Sequence, residues 1–139
     1  MRPLAYGVVV ASWDDVRTIT STLPETSEGG QYGNAGWRVK DKSLAWERPL
    51  RRSDLDALGP DAPGGPILAV RVADIGVKDA LVADDPDVYF TTPHFDGYPM
   101  VLVRLAEISE PDLTELLTDA WLAQAPKTLV KQFLANGTS

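Results

Sequence analysis

The segment YFTTPHFDGYPMVLVRL, residues 89–105, carries His94, the only histidine of the chain. Around it Thr91, Thr92, Asp96 and Tyr98 place hydroxyl, carboxylate and phenol groups within one short loop. An imidazole beside a carboxylate can act as a general base near neutral pH. Acyl transfer would also need a nucleophile, and the loop has no Ser-centred elbow, no cysteine and no second histidine. A lone histidine without thiolates makes a poor transition-metal site. Recognition of a ligand therefore suits these five residues better than catalysis, and no catalytic residue, metal or cofactor is expected. The plain structural reading is a hairpin loop. Pro93 and Pro99 restrict the residues before them, and Asp96-Gly97 is a strong hairpin-turn signal.

A second group of side chains is suited to binding anions. Arg38, Lys40, Lys42, Arg48, Arg51 and Arg52 lie close in sequence, against only Asp41 and Glu47. Such residues can contact phosphates. The alternative is that they are solvated charges on strand faces and a loop. The chain as a whole carries −7, which opposes non-specific nucleic-acid binding outside that patch. Other polar clusters carry less. Asp84, Asp85 and Asp87 lack the ordered spacing, glycine and terminal glutamate of a calcium loop. GGQYGNAG, residues 29–36, is glycine-rich but does not follow a strand or open a helix, so it fails as a nucleotide fingerprint.

The elements that would position these groups follow from periodicity. Ser12 to Leu23 reads as a helix, with Trp13, Val16, Ile19, Thr20 and Leu23 on one face and Ser12 as cap. PETSEGG reads as a loop. GWRVKDKSLAWERPL reads as a hairpin turning at Asp41. Trp37 and Val39 share one side, and strict alternation puts Leu44 and Trp46 together with Ala45 and Glu47 opposite. SDLDALG can form a helical turn capped by Ser53 and ended by Gly59. Pro66 to Val72 is a strand. Asp74 to Ala83 is a helix capped by Asp74, with Val77 and Leu81 inward. Val88 to Thr91 and Met100 to Ala106 are strands on either side of the histidine loop. Ser109 caps a helix whose Leu113, Leu116, Leu117, Ala120 and Trp121 form an apolar stripe. Pro126 opens a last helix, with Leu129, Val130, Phe133 and Leu134 as its stripe, before a frayed NGTS end.

This order is not a strict strand–helix alternation. It predicts an α+β two-layer sandwich, with helices packed on one face of a largely antiparallel sheet. The 139 residues suit a single domain, 1–139, with a core that needs no disulfide or metal. The absence of cysteine excludes thiolate chemistry. No stretch approaches the ~20 apolar residues of a membrane span. The start, MRPLAYGVVVASWDD, lacks the apolar core of a signal peptide, so a soluble cytoplasmic protein is expected.

Four blocks together resemble one family: GWRVKDKSLAWERPL, ILAVRV with the helix after it, VYFTTPHFDGYPMVLVRL and LTELLTDAWLAQAPKTLV. They resemble the MmcQ/YjbR-like proteins, small bacterial proteins of unknown function. The likeness spans residues 13–130, and the TTPHFDGYP block and the DAW…APK ending are its most specific parts. It implies a compact α+β domain related to the frataxin-like fold. It also implies weak binding of double-stranded DNA, a label the family carries because two β-hairpins look like paired wings. On this chain the Lys40-Asp41-Lys42 hairpin would be one wing and the 91–98 loop a second surface. The rival expectation is a small molecule or protein partner received at the 91–98 loop.

Overall fold

A computed structural model describes residues 11–31 and 33–137. The element order is α1 (Trp13–Ser21), β1 (Thr26–Gln31), β2 (Asn34–Val39), β3 (Lys42–Glu47), α2 (Arg52–Leu58), β4 (Ile67–Arg71), α3 (Ile75–Asp84), β5 (Tyr89–Phe90), β6 (Met100–Arg104), α4 (Glu110–Gln124) and α5 (Lys127–Gly137). Short 3-10 turns follow α2 and sit within the histidine loop at Pro93–Phe95. The strands form one antiparallel sheet in the order β1-β2-β3-β4-β6-β5. The α+β sandwich expected from the sequence is the fold observed. The apolar run before Ala11, Tyr32 of the glycine-rich segment, and Thr138 and Ser139 lie outside the described residues.

Local chemistry explains most boundaries. Ser12 and Asp15 form a reciprocal capping box at α1, satisfying two backbone donors that the helix itself leaves open. Asp74 caps α3 through Val77 N at 2.9 Å, and Ser109 caps α4 through Asp112 N at 3.2 Å. At α2 the cap position is Arg51, not Ser53. Asp54 accepts the Arg51 backbone N–H at 2.8 Å, so a carboxylate inside the first turn does the work expected of a serine hydroxyl. The segment read as a loop after Pro24 is strand β1. Its small and polar side chains give no apolar alternation, but its backbone pairs with β2 along the whole strand. The glycine-rich stretch is thus a hairpin, turning at Gly33 with φ near +80°.

The main core lies between the sheet and α1, α4 and α5. Trp37, Leu68, Val70, Val101, Val103, Leu117 and Trp121 fill it. Trp121 is fully buried, packs against Phe133 in a tilted pair with 4.8 Å between ring centroids, and donates its indole N–H to Pro24 O at 2.9 Å. Side chains of this size each contribute roughly 1.5–3 kcal/mol by leaving water. Leu134, expected on the inner stripe of α5, is 51% exposed; of that stripe only Leu129, Val130 and Phe133 pack against the core.

The sheet is apolar on its other face as well. Along β4 and β6, alternate residues enter a second cluster of Trp46, Ile67, Ala69, Phe90, Phe95, Met100 and Leu102. This corrects the expected side of Trp46. The pairing of β2 with β3 slips by one residue between Trp37 and Arg38, so that Trp37 opposes Ala45 and Arg38 opposes Ser43. The extra residue is Leu44. A β-bulge of this kind changes which face later residues occupy. Leu44 and Ala45 both reach the helix-side core, while Trp46 turns to the opposite face. Leu44→Ser should therefore cost about 2–4 kcal/mol in urea unfolding, as a buried leucine exchanged for a polar residue does. Arg38→Ser, on the exposed side of the same hairpin, should change stability by less than about 0.5 kcal/mol. Equal, small effects at both positions would contradict the bulge.

Candidate functional site

The second face is covered by α2 and by the histidine loop, and a cleft of about 970 Å³ opens beside that cover. The loop joins β5 to β6, which pair as a hairpin with Phe90 opposite Leu102. Its base turns inward, with Thr92 and Phe95 buried, while its tip is exposed. Phe95 is 6% exposed and packs 6.5 Å from the Trp46 ring. Three turn hydrogen bonds shape it: Phe95 N to Thr92 O, Asp96 N to Pro93 O and Tyr98 N to Phe95 O. Gly97, at φ near +80°, takes the left-handed position that a side chain would strain.

Two buried charges fix this cover. Lys78 of α3 is 4% exposed and donates its ammonium to Phe95 O at 2.7 Å and Tyr98 O at 3.0 Å. Burial pulls its pKa below the ordinary value, against the raising influence of Asp96 and Asp79. Sequence periodicity favoured Val77 as the inward residue of α3. Val77 is 40% exposed, and the charged Lys78 beside it points inward because the loop carbonyls receive it. The second anchor is Arg48. Its guanidinium lies 3.0 Å from Asp54 in α2, 5.3 Å from the centre of the Phe95 ring, and donates to Pro49 O. Arg48 and Asp54 are 5% and 2% exposed. Burial pushes the Asp54 carboxyl up. The Arg51 backbone N–H and the charge of Arg48 outweigh it and hold the group below its ordinary value.

The sequence-derived candidates divide on this geometry. Arg48, Thr92 and Phe95 belong to the buried cover. Thr91 Oγ1 is buried without a hydrogen-bond partner among the described residues. His94 and Tyr98 are exposed and line the cleft, and their neighbour Asp96 is exposed on the Lys78 side. His94 sets its ring edge-on to Phe95 at 4.8 Å, and no hydrogen bond joins it to Asp96. Lys42 and Arg51 reach the cleft from the other side. Lys40 sits at the β2–β3 turn, 3.4 Å from Glu25, while Arg38 and Arg52 are exposed outside the cleft. Members of the two groups, Lys42, Arg48 and Arg51 from one and His94 and Tyr98 from the other, thus meet at one opening. Sequence reasoning missed Arg71, whose Nε is buried without a hydrogen-bond partner among the described residues and which lines the same cleft. The signal was present, since an arginine closing the apolar run ILAVR must point to one face of the sheet.

Comparison with known proteins accords with this frame. The YjbR family model matches residues 21–123, which include the whole sheet and both anchors. The chain belongs to the YjbR family. It is 62% identical over 130 residues to the uncharacterised protein Rv2570 of Mycobacterium tuberculosis, covering 91% of this chain and 98% of that one. The uncharacterised protein Mb2600 of Mycobacterium bovis matches to the same extent. Among solved structures, the Deinococcus radiodurans protein DR2400, with a DUF419 domain, is similar at a TM-score of 0.60 and 19% identity. That match covers 81% of this chain and 78% of the other, and it speaks to the fold alone. Among the described residues, no helix is long and apolar enough to cross a membrane, and no cluster of three or more metal-ligating side chains occurs.

The Arg48–Asp54 pair has a defined pH signature. Because the folded pKa of Asp54 lies below its ordinary 3.8, the contribution of the carboxylate is present above that value and is lost as pH falls through the folded value. Asp54→Asn should lower neutral-pH stability by roughly 2–4 kcal/mol, since it strands a buried guanidinium. The gap between wild type and variant in denaturant melts should stay constant above about pH 5 and narrow towards pH 2. A gap independent of pH across that range would contradict the ion pair.

Proposed function

We propose that this YjbR-family protein is a binding module, not an enzyme, and that its ligand is a small anion with a planar or aromatic part, received in the cleft beside the 91–98 loop. One observation carries this reading. On a chain of net charge −7, Lys42, Arg48, Arg51 and Arg71 line the cleft against a single carboxylate, Glu47. Local charge of that sign focuses anions into a concave site. Arg48 is matched by Asp54, which leaves Lys42, Arg51 and Arg71 to meet a ligand. The aromatic and apolar part of the lining is Trp46, Phe95, Tyr98 and Met100. Guanidinium groups supply directed donors to carboxylate or phosphate, and rings supply stacking area. His94 at the rim can add a hydrogen bond.

The DNA-wing reading draws on the same basic segment but finds less support. Lys40 is held by Glu25, Arg48 is buried, and the cleft is concave where a duplex needs a tracking surface. The β2–β3 turn also lies against the α4–α5 region, lining a groove with Leu122, Pro126 and Lys131.

Phenyl phosphate and a short DNA duplex, titrated separately while tryptophan fluorescence is followed, distinguish the two. Phenyl phosphate should bind saturably, and Lys42→Glu with Arg51→Glu should weaken it by roughly tenfold or more. Lys40→Glu should leave it unchanged. Duplex binding that falls steeply with salt and disappears in Lys40→Glu/Lys42→Glu, with no response to phenyl phosphate, would replace this reading with the DNA one.

A further inference from the structure

A second cleft, of about 590 Å³, lies between α3 and α4 on the helix side of the sheet. Its chemistry is opposite to that of the first. Val72, Val77, Leu81 and Leu116 form an apolar trough, and Asp85, Asp112, Glu115 and Asp119 rim it, with no lysine or arginine in the lining. None of the four carboxylates forms an ion pair among the described residues. Asp112 has a local explanation, since it sits in the first turn of α4, where the helix dipole favours negative charge. Glu115 and Asp119 have none. They stand four residues apart on one helix, where like charges repel.

Tyr89 provides an independent observation. It is 7% exposed, lines this cleft, and its hydroxyl has no hydrogen-bond partner among the described residues. Burial pushes its pKa up to about 12, and Asp112, Asp85 and Glu115 push in the same direction. The phenol therefore keeps its proton and faces the acidic rim. The ring is buried while the hydroxyl stays accessible at the cleft, where a ligand group can meet it. Val77 lies at the edge of the same trough, 40% exposed despite its apolar side chain.

We infer that the α3–α4 cleft binds an amphiphilic organic cation, an ammonium group carried on a short aliphatic chain. The ammonium sits between Glu115, Asp119 and Asp112 and donates to the Tyr89 hydroxyl oxygen. The chain lies on Val77, Leu81 and Leu116. A metal ion suits the site poorly, because the trough beneath the carboxylates is hydrocarbon. This site is separate from the basic cleft: Tyr89 belongs to the helix-side core, whereas Trp46, Phe95 and Met100 belong to the cluster on the opposite face.

Titration of hexylammonium and of hexanol into the isotope-labelled full chain, followed by amide NMR, tests the inference. Hexylammonium should shift the amides of Val77, Leu81, Glu115 and Leu116 saturably, and hexanol should bind at least about tenfold more weakly. Glu115→Gln with Asp119→Asn should reduce hexylammonium affinity by roughly tenfold without lowering the melting temperature, because both residues are surface carboxylates with like-charged neighbours. Tyr89→Phe should weaken binding by a smaller factor, and Lys42→Glu should not affect it. Equal binding of hexanol, shifts spread over carboxylates outside the groove such as Asp14 and Asp56, or full affinity in the double variant would each overturn the inference.

Discussion

A sheet that is apolar on both faces must be covered on both, and this chain has long helices for only one. Alternate residues of β4 and β6 feed two separate cores: Leu68, Val70, Val101 and Val103 on the helix side, and Ile67, Ala69, Met100 and Leu102 on the other. The second face is left to the seven residues of α2 and to the histidine loop. Neither has enough apolar surface to hold itself in place. Polar anchors therefore supplement the hydrophobic contact. Lys78 gathers two loop carbonyls from one side, and Arg48 joins β3, α2 and the Phe95 ring from the other. Burying a charge is costly unless it is paired or hydrogen-bonded, and both charges meet that condition.

The same economy of cover produces the cleft. Because α2 and the loop are short, they shield only part of the second face, and the remaining floor is reached by Lys42, Arg51 and Arg71. Arg48 links structure and site. Its pairing with Asp54 holds α2, while its position beside Phe95 places the wall of the opening. The helix side of the sheet ends with the reverse polarity, carboxylates around the α3–α4 trough. An acidic chain thus presents a basic cleft on one face of its sheet and an acidic one on the other.

Much of this was legible in the sequence, and the failures have specific causes. Helix periods and caps gave α1, α3 and α4 because the competing structures are poor for those patterns. The loop's turn chemistry was also legible, since Asp96-Gly97 and the flanking prolines admit few conformations. Strand β1 was not, because it is held by backbone pairing and offers no side-chain pattern. The side taken by Trp46 was hidden by a bulge, which shifts the alternation without changing composition. Lys78 was hidden for a different reason. A lysine is ordinarily exposed, and only the arrival of two carbonyls from residues 95 and 98 makes its burial favourable. The continuous apolar runs ILAV and MVLV did carry the decisive hint, as strands buried on both faces read that way. Convergence of the basic segment with the histidine loop depended on strand order, which no local pattern encodes.

The central claim is that Lys78 clamps the histidine loop onto the second face of the sheet. Native-state hydrogen exchange on wild type and Lys78→Met measures it directly. The account predicts that the amides of Phe95, Asp96 and Tyr98 lose protection by about 1–3 kcal/mol in the variant, while the β2–β3 amides keep theirs relative to global stability. Unchanged protection in the loop, or a loss spread evenly over every strand, would contradict it.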